Sequence, residues 1–293
     1  MPGDLLTAPP EELPAGSHAA ALALLASRPL VVLTGAGLST DSGIPDYRGP
    51  GRPARTPMTF QEFCSGPAAQ QRYWARAYVG WSTMGGAEPN AGHRALAAIA
   101  PDLVITQNVD GLHERAGTAR LVALHGRIAE VVCLGCRAVS SRERLQQRLA
   151  ALNPGFLDGA AHAPARPDGD VELDTTADFV VAACEECGGA LKPHVVFFGE
   201  NVPDERVERC YAAVDDLPEV GGALLVVGSS LTVMSGLRFV KRAATQGTPI
   251  VIVNRGATRG DALATYRLEA GCSEFLADLG KVRLSRPPEP AQA

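Results

Sequence analysis

Residues 31–48 read VVLTGAGLSTDSGIPDYR. Leu30, Val31, Val32 and Leu33 form an apolar, β-branched run, the composition of a strand buried on both faces of a parallel sheet. Gly35 and Gly37 follow. Glycine there admits positive φ and lets backbone approach a ligand, so that main-chain N–H groups at the next helix start meet a pyrophosphate. A plain strand-to-helix turn uses the same glycines.

The next residues separate two kinds of dinucleotide site. A hydride-transfer dehydrogenase continues into a second strand whose acidic end, about 20 positions on, holds the adenosine ribose. Residues 48–58 instead read RGPGRPARTPM, a Gly, Pro and Arg loop without apolar alternation. A basic loop over the cofactor fits better, with Arg48 as a phosphate partner.

A second constellation, Thr106-Gln107-Asn108-Val109-Asp110-Gly111-Leu112-His113, follows the apolar run Leu103-Val104-Ile105. Polar residues at the carboxyl end of a strand lie where open α/β sheets bind ligands. The amides and the carboxylate suit ribose hydroxyls and a carboxamide. An Asn/Asp turn capping a helix that starts near Leu112 is the other reading. Leu121-Val122-Ala123-Leu124-His125-Gly126 is a further short strand, and its terminal His125 is a candidate base. The same histidine read alone is a packed, hydrogen-bonded residue.

Two C-x-x-C pairs, Cys133 with Cys136 and Cys184 with Cys187, match a tetrahedral structural zinc site. A redox dithiol or disulfides are the alternatives. Between the pairs, RERLQQRLAAL reads as a helix and 153–174 as a Pro, Gly and Asp loop. Cys64, Cys210 and Cys272 are unpaired in sequence and read as small buried hydrophobes.

With these motifs in order, joined by Lys192-Pro193-His194-Val195-Val196-Phe197-Phe198-Gly199-Glu200, Gly228-Ser229-Ser230-Leu231 and Val253-Asn254, the chain resembles the sirtuins, NAD-dependent protein lysine deacylases. The likeness runs from about Leu22 to Leu279. It extends to the class II branch, which has bacterial members, through Gln71-Arg72-Tyr73-Trp74-Ala75-Arg76, Val79-Gly80-Trp81, Asn153-Pro154, Pro167-Asp168-Gly169-Asp170 and Ser235-Gly236. Three positions depart from the common pattern: Ala123 replaces a Glu, Tyr47 a Phe, and His194 an Asp.

The resemblance implies an α/β fold: a doubly wound, Rossmann-like parallel sheet with a smaller inserted zinc-binding module and a helical insertion. The NAD-binding domain is expected in 20–56, 89–127 and 191–283, the helical insertion in 57–88, the zinc module in 128–190, and flexible termini in 1–19 and 284–293. It implies that Gly35, Ala36, Gly37 and Ser39 hold the pyrophosphate and Arg48 reaches a phosphate. Ile44 and Asp110 receive the nicotinamide, with Asp46 and Tyr47 beside it. Gln107 and the catalytic Asn108 hold the nicotinamide ribose. Gly228, Ser229, Ser230, Asn254, Gly256 and the backbone of Cys272 take the adenosine half. His125 is the general base, and Cys133, Cys136, Cys184 and Cys187 hold one structural zinc. Val195, Val196, Phe197, Phe198 and Gly199 pair with an acyl-lysine peptide as an added strand. By spacing, Tyr73 and Arg76, three apart on one helix face, are placed to meet the acyl chain, Arg76 pairing with a terminal carboxylate where one is present; a solvated arginine on an amphipathic helix is the other reading.

The implied function is acyl transfer from lysine to ADP-ribose with release of nicotinamide. A protein mono-ADP-ribosyltransferase using the same pocket and a non-catalytic NAD and zinc scaffold are the competing uses. Whole-chain properties agree with a cytoplasmic enzyme. The net charge is −5 without a basic block, against direct nucleic-acid binding. No apolar run reaches the roughly 18 residues of a membrane span. The start, MPGDLLTAPPEELPAGSH, is acidic and Pro-rich, unlike a signal or transit peptide. Only three of the 27 basic residues are Lys, and abundant Ala fits GC-rich bacterial coding.

Overall fold

The computed structural model describes residues 17–46, 57–158, 171, 173 and 175–285. Six short strands form one parallel sheet: β1 (Leu30–Thr34), β2 (Leu103–Thr106), β3 (Leu121–Ala123), β7 (Ala223–Val227), β8 (Ile250–Val253) and β9 (Tyr266–Leu268). Their order is β3-β2-β1-β7-β8-β9, so the chain winds outward from β1 in one direction and then in the other. This doubly wound order places a crevice at the carboxyl ends of β1 and β7, where the direction reverses.

Alternation within each strand feeds two cores. Val31, Leu33, Leu224, Val226, Ile250 and Ile252 face one side and pack under α7 (Asp204–Asp216) and α8 (Met234–Thr245). Leu30, Val32, Leu225, Val227, Val251 and Val253 face the other, under α1 (His18–Leu25), α4 (Ala91–Ile99) and α9 (Cys272–Leu284). Every residue of β1 and β7 is buried, which is why these segments read as unbroken apolar runs.

The inserted segments build a smaller unit around a third core. α2 (Phe60–Phe63) and α3 (Pro67–Gly86) come from the expected helical insertion. β4 (Gly126–Cys133), β5 (Val139–Ser141) and β6 (Leu191–Val195) form an antiparallel sheet in the order β5-β4-β6, with α6 (Arg142–Leu152) between β5 and β6 in sequence. Trp74 and Tyr78 of α3 pack with Val131, Leu145 and Phe179, and the Trp74 indole N–H donates to the Leu191 carbonyl at 2.9 Å. Helical insertion and zinc module thus share one apolar centre.

Boundaries differ from the sequence reading in places with local causes. His18 and Ala19 of the expected 1–19 tail open α1, because Ser17 Oγ caps it by accepting from the Ala20 N–H. Leu191–Val195, expected to open the 191–283 segment, pairs with β4 instead. Cys133 faces Leu191 at the zinc end of that pair and Gly126 faces Val195 at the other, with a register shift between them. Leu284 closes α9 rather than a tail. Among the described residues no helix is long and apolar enough to cross a membrane.

Candidate active site

The two glycine turns meet at the switch point. The Gly37 N–H donates to Gly228 O at 2.8 Å and the Gly35 N–H to Val227 O at 3.1 Å. A Cβ on Gly35 would lie 2.7 Å from Gly228 O, so the contact exists only between glycine backbones. Gly228 itself has φ +65, the left-handed region glycine enters freely.

Beside these turns, the 107–110 segment leaves the end of β2 as a fixed polar cluster. The Ser39 hydroxyl donates to Asp110 Oδ2 at 2.7 Å, and Asn108 Nδ2 donates to Ser39 Oγ at 3.0 Å and Gly35 O at 3.1 Å. Gln107 Nε2 donates to Ser229 Oγ at 2.7 Å, linking the ends of β2 and β7. Asp110 also caps the following turn, its Oδ1 accepting from the Leu112 N–H at 2.9 Å. The turn reading of this segment is thereby realised, Asp110 closing the bend that leads into Leu112–Arg115. Burial raises the Asp110 carboxyl above its usual range, opposed by the Leu112 and Ser39 hydrogen bonds.

His125 stands between β3 and β4, with each ring nitrogen hydrogen-bonded. Nδ1 lies 2.8 Å from Gln107 O and Nε2 lies 2.8 Å from Ser235 Oγ. A carbonyl only accepts, so Nδ1 carries the proton and Nε2 presents its lone pair. Burial lowers the imidazole pKa to about 4, with Arg206 and Arg238 adding to the depression against the Gln107 bond. The ring is neutral at physiological pH. Its backbone carbonyl accepts from the Val196 N–H at 2.8 Å, which fixes the 195–199 segment directly beside it.

That segment is held by an ion pair between buried Lys192 and half-buried Glu200. Lys192 Nζ lies 2.8 Å from Glu200 Oε2, and the same carboxylate accepts from the Phe197 N–H at 2.7 Å. Lys192 also stands over the Phe197 ring at 4.4 Å. Burial lowers the Lys192 pKa, opposed by Glu200. Phe197 packs against Tyr73 and Phe63 with ring centroids 5.2 and 5.5 Å apart, making an apolar wall.

A single cavity of about 560 Å³ joins these parts. Lining it are Gly35, Ala36, Gly37, Ser39, Ile44, Asp46, Gln107, Asn108, Asp110, Gly228, Ser229, Ser230, Asn254 and Gly256 on the sheet side, and Tyr73 with Val195, Val196, Phe197, Phe198 and Gly199 on the other, His125 belonging to the same lining. Two expected residues do not line it. Cys272 is buried at the start of α9 in the sheet core, and Arg76 is half-buried one turn beyond Tyr73. Tyr47 and Arg48 lie outside the described residues. Ser235 and Arg238 line the cavity although sequence reading gave them no role, and Ser235 sits in a pair that the class II likeness had singled out.

The four zinc-motif cysteines converge, their sulfurs all within 4.8 Å of one another. Cys133 Sγ is 3.5 Å from Cys187 Sγ, and Cys136 Sγ is 3.8 Å from Cys184 Sγ. Tetrahedral thiolates at about 2.3 Å from zinc stand about 3.8 Å apart, so the group fits one structural zinc. A Cβ on Gly189 would crowd the Cys133 and Cys187 sulfurs at 3.1 and 3.2 Å, so this turn is shaped around the quartet.

The Sir2 family model matches residues 35–235. A Mycobacterium avium (strain 104) protein named NAD-dependent protein deacetylase 1 is 53% identical over 266 residues, 87% of this chain and 92% of its own length. Its namesake in Streptomyces coelicolor is 54% identical over 247 residues, 82% of this chain and 81% of its own. A solved structure described as Sir2-p53 peptide-NAD+ superposes with a TM-score of 0.70 at 30% identity, covering 88% of this chain and 95% of its own. The chain, with its doubly wound sheet, paired glycine turns and thiol quartet, belongs to the Sir2 family.

Proposed function

We propose that this chain is an NAD-dependent protein lysine deacylase, passing the acyl group from a lysine side chain to ADP-ribose and releasing nicotinamide. The observation that carries the reading is one cavity shared by the glycine turns and the 195–199 segment, with His125 in the same lining. The relatives' names and the NAD and peptide of the similar solved structure support it.

Bound NAD supplies a ribose carbon carrying a cationic leaving group. Gly35, Ala36, Gly37 and Ser39 bring a closely approaching backbone to the pyrophosphate, with Arg48 as a further phosphate partner. Gly228, Ser229, Ser230, Asn254 and Gly256 receive the adenosine half, and the Cys272 backbone supports that end from the core. Gln107 and Asn108 orient the nicotinamide ribose. Ile44 and Asp110 bound the nicotinamide, with Asp46 and Tyr47 on the same loop. Neutral His125 accepts a proton from a sugar hydroxyl at Nε2. Val195, Val196, Phe197, Phe198 and Gly199 hold the substrate backbone as an added strand, and Tyr73 walls the acyl channel.

Cys133, Cys136, Cys184 and Cys187 hold zinc with no open position, so the metal's part is structural. The segments 18–56, 89–125 and 196–284 serve the dinucleotide, while 57–88 and 126–195 build the smaller unit. We also read the enzyme as cytoplasmic. None of the seven cysteines is in a disulfide, as a reducing compartment keeps them.

Mass spectrometry of the purified protein with NAD and acyl-lysine peptides tests the reading. Free lysine with acylated ADP-ribose supports it. Intact acyl-lysine with ADP-ribose on a protein side chain replaces it with the transferase reading. Comparing acetyl, succinyl, glutaryl and hydroxymethylglutaryl peptides in wild type and Arg76→Ala tests Arg76: an acidic preference lost in the variant assigns it the acyl carboxylate, and an unchanged preference removes it.

A further inference from the structure

Ser235 and the Gln107 carbonyl hold His125 from both ends, and Gly236 lies against the Gln107 side chain. Ser235 Oγ lies 2.8 Å from Nε2, the nitrogen opposite the one bonded to Gln107 O. Because Nδ1 carries the proton, the serine hydroxyl is the donor and Nε2 the acceptor. The hydroxyl is not used as a helix cap: α8 is entered from Val233, which makes no side-chain cap bond. Gly236 does the complementary task. A Cβ there would fall 2.6 Å from Gln107 Oε1, so glycine lets the helix close on the side chain of the residue whose carbonyl holds Nδ1 without moving it. Ala123, two residues before the histidine, offers no carboxylate from the strand.

The surroundings make this hydroxyl matter. Arg206 of α7 and Arg238 of α8 both disfavour a positive ring, and burial does so more strongly. An imidazolium formed here needs an acceptor for its new N–H. Ser235 can turn its hydroxyl from donor to acceptor without moving its oxygen, and a hydrogen bond from a charged donor is about twice as strong as a neutral one.

We propose that Ser235 is a positioning residue for His125, holding the ring with Nε2 toward the cavity and accepting a hydrogen bond from Nε2 once that nitrogen is protonated. This rests on the deacylase reading, in which a sugar hydroxyl takes the serine's place at Nε2. In the proton-transfer step the sugar O–H bond breaks, an N–H bond forms on His125, and the serine keeps its own proton.

The test is made on Ser235→Ala and Ser235→Thr with ¹⁵N-labelled histidine, His125→Asn assigning the ring signals by their loss. In Ser235→Ala the Nε2 resonance moves downfield, toward a bare imidazole nitrogen, while Nδ1 stays protonated. Its kcat falls about tenfold with KM for NAD within about twofold, and Ser235→Thr keeps both the resonance and the rate. An unmoved Nε2 resonance in Ser235→Ala overturns the proposal, as does a moved resonance with unchanged kcat. A wild type that releases no lysine from any acyl peptide overturns the deacylase reading alone, and the position of the Nε2 resonance then decides the Ser235 contact by itself.

Discussion

A Cβ built on Gly37 would stand 2.9 Å from the Cα of Gly228, so two turns far apart in sequence touch through backbone alone. The contact closes the switch point of the sheet and makes the turns one surface. Gly37→Ala is expected to cost about 1–3 kcal/mol in urea unfolding, the usual cost of overpacking. Calorimetric NAD affinity falls with it, since the two turns that line the cavity together move apart. Full affinity in a folded Gly37→Ala would show that the closeness serves packing only.

The Lys192 and Glu200 pair reaches the peptide side of the cavity, because Glu200 also holds the Phe197 N–H. Glu200→Ala leaves a buried ammonium without its carboxylate, and about 3 kcal/mol of stability is lost. Steady-state kinetics show the KM for peptide raised and that for NAD little changed. Adding Lys192→Met to that variant recovers much of the stability, as removal of both charges does.

Zinc removal acts at a distance through β4. That strand begins at Gly126, next to His125, and ends at Cys133 in the thiol quartet, paired at both ends with the strand leading into 195–199. Chelation is expected to lower Tm by roughly 10 °C and to abolish turnover, with both restored by zinc. Metal analysis gives one zinc per chain, and Cys184→Ser abolishes it.

Acid sensitivity follows from three buried histidines. Burial lowers His93 to about 4 and His113 to about 3, with His125 at about 4. Folded values below the ordinary one of about 6.5 mean that the unfolded chain takes up protons first. The stability these groups contribute is complete above about pH 6.5 and falls as pH drops toward 4, by about 1.4 kcal/mol per unit for each ring. Urea midpoints between about pH 7 and about pH 5 give a shallower slope in His113→Gln, by about one proton.

Much of this was legible because strand ends and chemistry coincide. Apolar runs ending in Gly35, Gln107 and Gly228 mark both the sheet and its ligand edge, and cysteine spacing marks the quartet. Leu191–Val195 was not legible as an antiparallel strand: its LKPHV sequence lacks alternation, and Pro193 cannot donate to a ladder. Burial of charge is equally silent in sequence. Arg142 reads as a solvated helix start, yet it is buried with its guanidinium 5.2 Å from the Trp74 ring and 4.8 Å from that of Trp81. Ser235 reads as an ordinary residue near a helix start, since only the folded chain brings α8 against His125. The buried contact of the His93 and His113 rings, 4.9 Å apart, joins residues that separate elements carry.

The central claim is that the His125 imidazole does chemistry between dinucleotide and peptide, and His125→Ala measures it most directly. NAD affinity by calorimetry should stay within a few-fold of wild type, while release of lysine from an acetylated peptide falls about 10²-fold or more. Turnover within about tenfold of wild type at unchanged affinity would contradict it.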